Sequence, residues 1–246
     1  MLLALFLIDL AAGLYVFLPL TGRRNAGVKF YRLILVTCAA LAACACGAHA
    51  MAYARELAIA DAALVALAAF VLFVLRYPKR LVYRLPALLL GVAFVAAGVA
   101  SWRAATNTSW GWSLAGALAS IALLGSVNLA MILGHWYLVV RGMAIDPLRR
   151  LAIATLLTTV VRLLLVAAAL GFGGAWQEIA VRQGIFFWMR AGWGLLGPLL
   201  LYPMVWGTVK IRSTMAATGI LYVDVVAVVI GEVLGGWLSA IAHLPV

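Results

Sequence analysis

Residues 113–140 read SLAGALASIALLGSVNLAMILGHWYLVV, a run with no Asp, Glu, Lys or Arg and no polar–apolar alternation. A bilayer core about 30 Å thick is crossed by ~20 apolar residues at 1.5 Å each. A membrane β-strand would be about ten residues long and strictly alternating. This stretch is therefore a transmembrane helix. It is followed by a short basic turn, RGMAIDPLRR at 141–150, and then by a second long apolar run. The same punctuation recurs along the chain and predicts eight spans, at 2–20, 33–52, 60–75, 85–101, 113–140, 150–171, 184–207 and 216–240.

The composition agrees. Of 246 residues, 67% are hydrophobic and 10% charged, and the mean hydropathy is +1.16. A soluble domain carries roughly a quarter of its residues as charges. The expected fold is an all-α, polytopic membrane bundle forming one transmembrane domain over 1–246, with the lipid bilayer as its first partner. The first run lacks a basic leader and a clear cleavage site, so it reads as a retained helix rather than a signal peptide. The loops leave no space for an extramembrane catalytic domain. Neither a GxxxxGK[ST] loop nor a GxGxxG turn in a βαβ setting occurs, and nucleic-acid binding is not expected.

The net charge of +11 is a topology signal, because Lys and Arg concentrate in cytoplasmic loops. Thirteen of the eighteen basic residues fall in alternate loops: Arg23, Arg24, Lys29 and Arg32; Arg76, Lys79, Arg80 and Arg84; Arg141, Arg149 and Arg150; Lys210 and Arg212. The opposite side holds Arg55, Arg103 and Arg182. This asymmetry supports eight spans with both termini on the non-cytoplasmic side, in what reads as a bacterial inner membrane. Trp102, Trp110, Trp112, Trp176 and Trp237 fall at the outer boundary, where amphipathic rings settle. Cys38, Cys44 and Cys46 share one span and read as small core residues.

Ionisable side chains inside a span are expensive and face a partner, water or a ligand. Asp9, His49, Arg162, Arg190 and Glu232 lie in the outer half of their spans, Asp224 is nearer the middle, and His135 is about a turn from the inner end. Two readings are open. Asp9 or Glu232 pairs with Arg162 or Arg190 to fasten helices, or the arginines bind an anionic group such as a haem propionate, a lipid phosphate or a carboxylate. Asp224 and Glu232 are eight residues apart and share nearly one helix face. With Asn128 they are candidates for a proton or ion path, to which Asp9 also belongs.

The seventh span carries Gly192-Trp193-Gly194-Leu195-Leu196-Gly197-Pro198 and then Tyr202-Pro203. Each proline frees the carbonyl four residues earlier, those of Gly194 and Leu199, and predicts a kink or break. The Gly231–Gly235 pair in the eighth span is a GxxxG pattern that admits a close helix, internal or from a second subunit.

Of three histidines, His243 falls in an external tail, and His49 and His135 stand near opposite membrane faces, so one haem iron cannot take both. His135-Trp136-Tyr137 supplies residue types that hold a quinone headgroup. The leading expectation is an integral membrane subunit of an electron-transfer assembly, binding quinone or haem through His49, His135, Tyr137, Arg162 and Arg190, with other membrane subunits or a second copy as partners. The alternatives are a small proton- or ion-coupled transporter and a noncatalytic scaffold.

Overall fold

The computed structural model describes every residue except 76–79, 141 and 175, with residues 80–82 by backbone alone. Arg76, Lys79 and Arg141 of the basic loops thus lie outside the described residues. Among the described residues there is no strand, and eight helical segments are long and apolar enough to cross a membrane.

Helices α1 (Leu2–Phe17), α2 (Arg23–Met51), α3 (Arg55–Val74), α4 (Arg80–Thr106), α5 (Trp110–Val139) and α6 (Asp146–Phe172) are one span each. The seventh span is composite: α7 (Gly184–Ala191), a π-helical turn at Gly192–Leu196 and α8 (Gly197–Lys210). Helix α9 (Thr214–Ala242) completes the bundle. Several helices run past the apolar stretches that predicted them. Helix α2 begins ten residues before its predicted span, and Gly27 (φ 80°, ψ 165°) breaks it inside the basic segment, between Arg24 and Lys29. Helix α6 opens on Asp146-Pro147, a proline where no N–H is needed and a carboxylate at the positive end of the helix dipole.

The apolar run with which the sequence was read, α5, is the most buried span and packs against α1, α4, α6 and α9. Small residues make this possible. A Cβ on Gly13 of α1 would collide with the carbonyl of Ile121 and with the backbone of Gly125 on α5. The two backbones therefore touch, as glycines allow in membrane helix pairs. Helices α2 and α3 form a hairpin on one flank, and α6 with the composite seventh span covers the other.

The proline-rich span bends as expected but by a defined route. The N–H of Gly197 bonds the carbonyl of Gly192, five residues back. One residue is thereby inserted into the ladder just ahead of Pro198, whose ring cannot sit over a regular turn. Pro203 is carried inside α8 without ending it.

Three expectations are corrected here. Trp102 is not a boundary anchor: it is 1% exposed, packed on Gly116. Only Cys38 is a core cysteine, since Cys44 is exposed and Cys46 half-buried. The segment after α9 is not a free tail. The ring of His243 donates to the Thr106 carbonyl at 2.8 Å, and Val246 turns inward, fully buried, with its N–H donating to Ser239 Oγ at 2.9 Å.

Candidate functional site

Arg162 comes from a buried stripe of α6 at helical spacing, Thr155, Thr159, Arg162 and Val166. Glu232 belongs to an equivalent stripe of α9, Asp224, Val228 and Glu232. The two meet in the half of the bundle opposite the basic loops. Arg162 Nε donates to Glu232 Oε1 and Nη2 to Oε2, each at 3.1 Å. This is the bidentate geometry that a planar guanidinium provides. Arg190, from the last turn of α7, places Nη2 2.7 Å from Oε1 of the same carboxylate. That is ion-pair distance without hydrogen-bond alignment. Both arginines are 0% exposed.

The GxxxG pattern of α9 explains how Arg190 fits. A Cβ on Gly231 would stand 3.1 Å from Arg190 Nη1, and one on Gly235 would stand 2.8 Å from its Nε. Gly231 also lies against Gly194 of the π-turn, where a Cβ would come within 2.5 Å of the opposite Cα. The helix partner of the pattern is thus internal, the seventh span, and the glycines form the trough in which the guanidinium lies.

Around this triad stand further groups, of which the sequence singles out only Asp9 as a site candidate. The Trp102 ring of α4 packs beside the Arg162 guanidinium, 5.5 Å from its centroid. The Val246 carbonyl accepts from Arg162 Nη2 at 3.5 Å. Ser120 of α5 stands beside both Glu232 and Asp9. Asp9 itself, on α1, is 1% exposed and within electrostatic reach of Glu232 and Arg162. Its carboxyl tucks against Gly98 of α4, where a Cβ would approach Oδ1 to 3.0 Å. Among the described residues neither Asp9 oxygen accepts a hydrogen bond in good geometry. Arg162 Nη1, Arg190 Nε and Nη1, and Trp102 Nε1 likewise find no acceptor. Buried groups of this kind usually cost ~1–3 kcal/mol each, so a concentration of them calls for a use.

Two further predicted residues lie deeper. Asp224 is 2% exposed, forms no ion pair among the described residues, and leaves Oδ1 without a donor. Asn128 of α5 is buried, but its amide donates to its own helix, to the Leu124 carbonyl at 2.8 Å. Asp224 is two turns from Glu232, about 12 Å along the helix. Between them α9 presents Ala227 and Val228, both buried.

The histidines are not brought to this centre. His49, 0% exposed near the end of α2, lies with Nδ1 2.7 Å from Asp61 Oδ2 of α3. The carboxylate accepts, so the ring proton sits on Nδ1, and Nε2 is buried without a partner among the described residues. Asp61 stands one residue inside the predicted third span and is not among the candidates taken from the sequence. His135 is exposed at the other end of the bundle. Its neighbour Trp136 packs on Phe30 with ring centroids 5.5 Å apart, and the Tyr137 hydroxyl donates to the Ala144 carbonyl. These three side chains point to different surroundings and share no pocket wall among the described contacts.

Compared with protein-family models, with curated proteins and with solved structures, the chain matches none.

Proposed function

We propose that the chain is a small proton-coupled membrane transporter, working through Asp9, Arg162, Arg190, Glu232 and Asp224. One observation carries this reading. Two buried carboxyl groups, Asp9 and Asp224, that have no well-aligned hydrogen-bond donor among the described residues flank at different depths a glutamate already held by two arginines. Intramembrane carboxyls facing the interior of a bundle are what proton relays and coupled carriers use.

The chemistry follows from competition. Glu232 occupies Arg162 on two donors and approaches Arg190 on one. A proton leaving Asp9 places a second negative charge within reach of Arg162, and a proton arriving removes it. Arg190 sits two residues before the π-turn, so a change in its pairing pulls on irregular backbone within a span. Irregular backbone of this kind tends to mark functional positions, and bent spans line transporter sites. The protein's unsatisfied arginine and tryptophan donors favour an anionic or hydrogen-bond-accepting solute. We place the chain in a bacterial cytoplasmic membrane with its basic end inside, by the charge asymmetry of its loops.

Purified protein in liposomes on a solid-supported membrane tests this. Concentration jumps of small carboxylates, phosphate and amino acids are expected to give a current for at least one class, scaled by an imposed pH gradient and lost in Asp224→Asn. Absence of current across the panel, or a current indifferent to the gradient, contradicts the reading.

A second reading has its own observation. Asp61 fixes Nδ1 of His49 and leaves Nε2 free, the arrangement that orients an imidazole toward a metal. It supports a haem-binding electron-transfer subunit working with other membrane subunits. A reducible Soret and α-band that disappears in His49→Ala would favour it, and colourless protein from haem-replete cells would oppose it.

A further inference from the structure

A cleft of about 1680 Å³ runs down the surface between α1 and α4, from the start of α2 to the start of α5. Its two ends differ. Arg23, Arg24 and Arg84 gather at the basic end, while Leu88, Val92 and Val95 of α4 continue an apolar wall toward Trp110 at the other. From Arg84 to Ala100 this wall spans seventeen residues, about 24 Å end to end. One leaflet's hydrocarbon is ~15 Å deep, so a complete acyl chain fits with its head at the arginines.

Two of the three arginines are unengaged among the described residues and the third is pre-positioned. Among the described residues no acidic side chain lines the cleft. Arg24 and Arg84 are exposed and form no ion pair or hydrogen bond among the described residues. Arg23 is held in place, its guanidinium 5.3 Å from the Tyr83 ring centroid and its Nη2 donating to the Leu75 carbonyl at 3.4 Å. The floor is fixed as well, since the Tyr15 hydroxyl of α1 donates to Ala87 of α4 at 2.8 Å. A Cβ on Gly91 would already be in contact with the Tyr15 ring, at 3.4 Å.

We infer that this cleft is a seat for one acidic phospholipid, its phosphate bound by Arg23, Arg24 and Arg84 and an acyl chain laid along α4 toward Trp110. Basic pockets between membrane helices select anionic headgroups in this way. The seat is separate from the buried charge cluster and does not depend on the transport reading.

Native mass spectrometry of the full chain in neutral detergent, titrated with phosphatidylglycerol or phosphatidylcholine of matched chains, tests it. Phosphatidylglycerol is expected to be retained one to one and phosphatidylcholine weakly. Arg24→Gln and Arg84→Gln should each weaken retention about fivefold, from the ~1 kcal/mol that a basic residue contributes near an anionic lipid. Val92→Trp should reduce retention by filling the wall, and Lys29→Gln, exposed at the same end but outside the cleft, should leave it unchanged. Gel filtration confirms that each variant is folded. Equal retention of the two lipids, an equal loss in Lys29→Gln, or indifference to Val92→Trp would overturn the inference.

Discussion

Replacing Glu232 by Gln removes the one anion that, among the described residues, meets both arginines. The substitution keeps size and shape, so the loss is electrostatic. Two charge-assisted hydrogen bonds from Arg162, at 3.1 Å each, and an Arg190 contact at 2.7 Å vanish or weaken together. Both guanidiniums stay behind at 0% exposure. Breaking a buried ion pair from one side costs ~3–5 kcal/mol, because the abandoned charge has no solvent. With two cations abandoned, the upper part of that range is expected, a large share of the ~5–15 kcal/mol that holds a typical domain together. The assay is reversible unfolding in mixed micelles followed by tryptophan fluorescence, for Glu232→Gln, Arg190→Met and the double variant. Arg190→Met relieves one of the stranded charges, so the double variant should recover part of the loss, with non-additivity of ~0.5–3 kcal/mol. A Glu232→Gln protein within ~0.5 kcal/mol of the parent, or losses that simply add, would refute the idea that one carboxylate compensates both arginines.

Three other outcomes follow from the same geometry. His135→Ala should change stability by no more than ~0.5 kcal/mol, as expected for an exposed side chain; a larger loss in the same unfolding assay would contradict its placement. Gly231→Ala forces a methyl toward the Gly194 backbone and should cost ~1–3 kcal/mol as overpacking, whereas Gly207→Ala, where nothing stands within 4 Å, should be neutral or slightly stabilising. Asp61→Asn removes the charged partner of His49 and should destabilise more than Glu56→Gln at the exposed start of α3, measured side by side.

What could be read from the chain alone was whatever depends on position along it. Eight apolar runs became eight spans, and the shared depth of Arg162, Arg190 and Glu232 became a shared site. Direction around a helix was less legible. Hydropathy is so uniformly high in α5 that nothing in its sequence distinguishes exposed His135 from buried Tyr137 two residues later. Trp102 misled for a related reason: a tryptophan near a span end is a normal interfacial anchor, and only the glycine opposite it, Gly116, makes room for the ring inside. The π-turn was half visible, since Pro198 demands relief but does not say whether a kink, a break or an inserted residue supplies it. The inward fold of Val246 had no local signal, because it depends on Ser239 and Arg162 being close in space.

Proton movement in sealed proteoliposomes with trapped pyranine, driven by a valinomycin–potassium potential in the presence of the solute that gives a current, bears most directly on the buried carboxyls. Parent protein and His135→Ala should acidify the lumen alike, while Asp9→Asn and Asp224→Asn, folded and incorporated equally, should fall to the rate of protein-free vesicles. Acidification that survives in both Asp9→Asn and Asp224→Asn would contradict the proposal that these groups carry the proton.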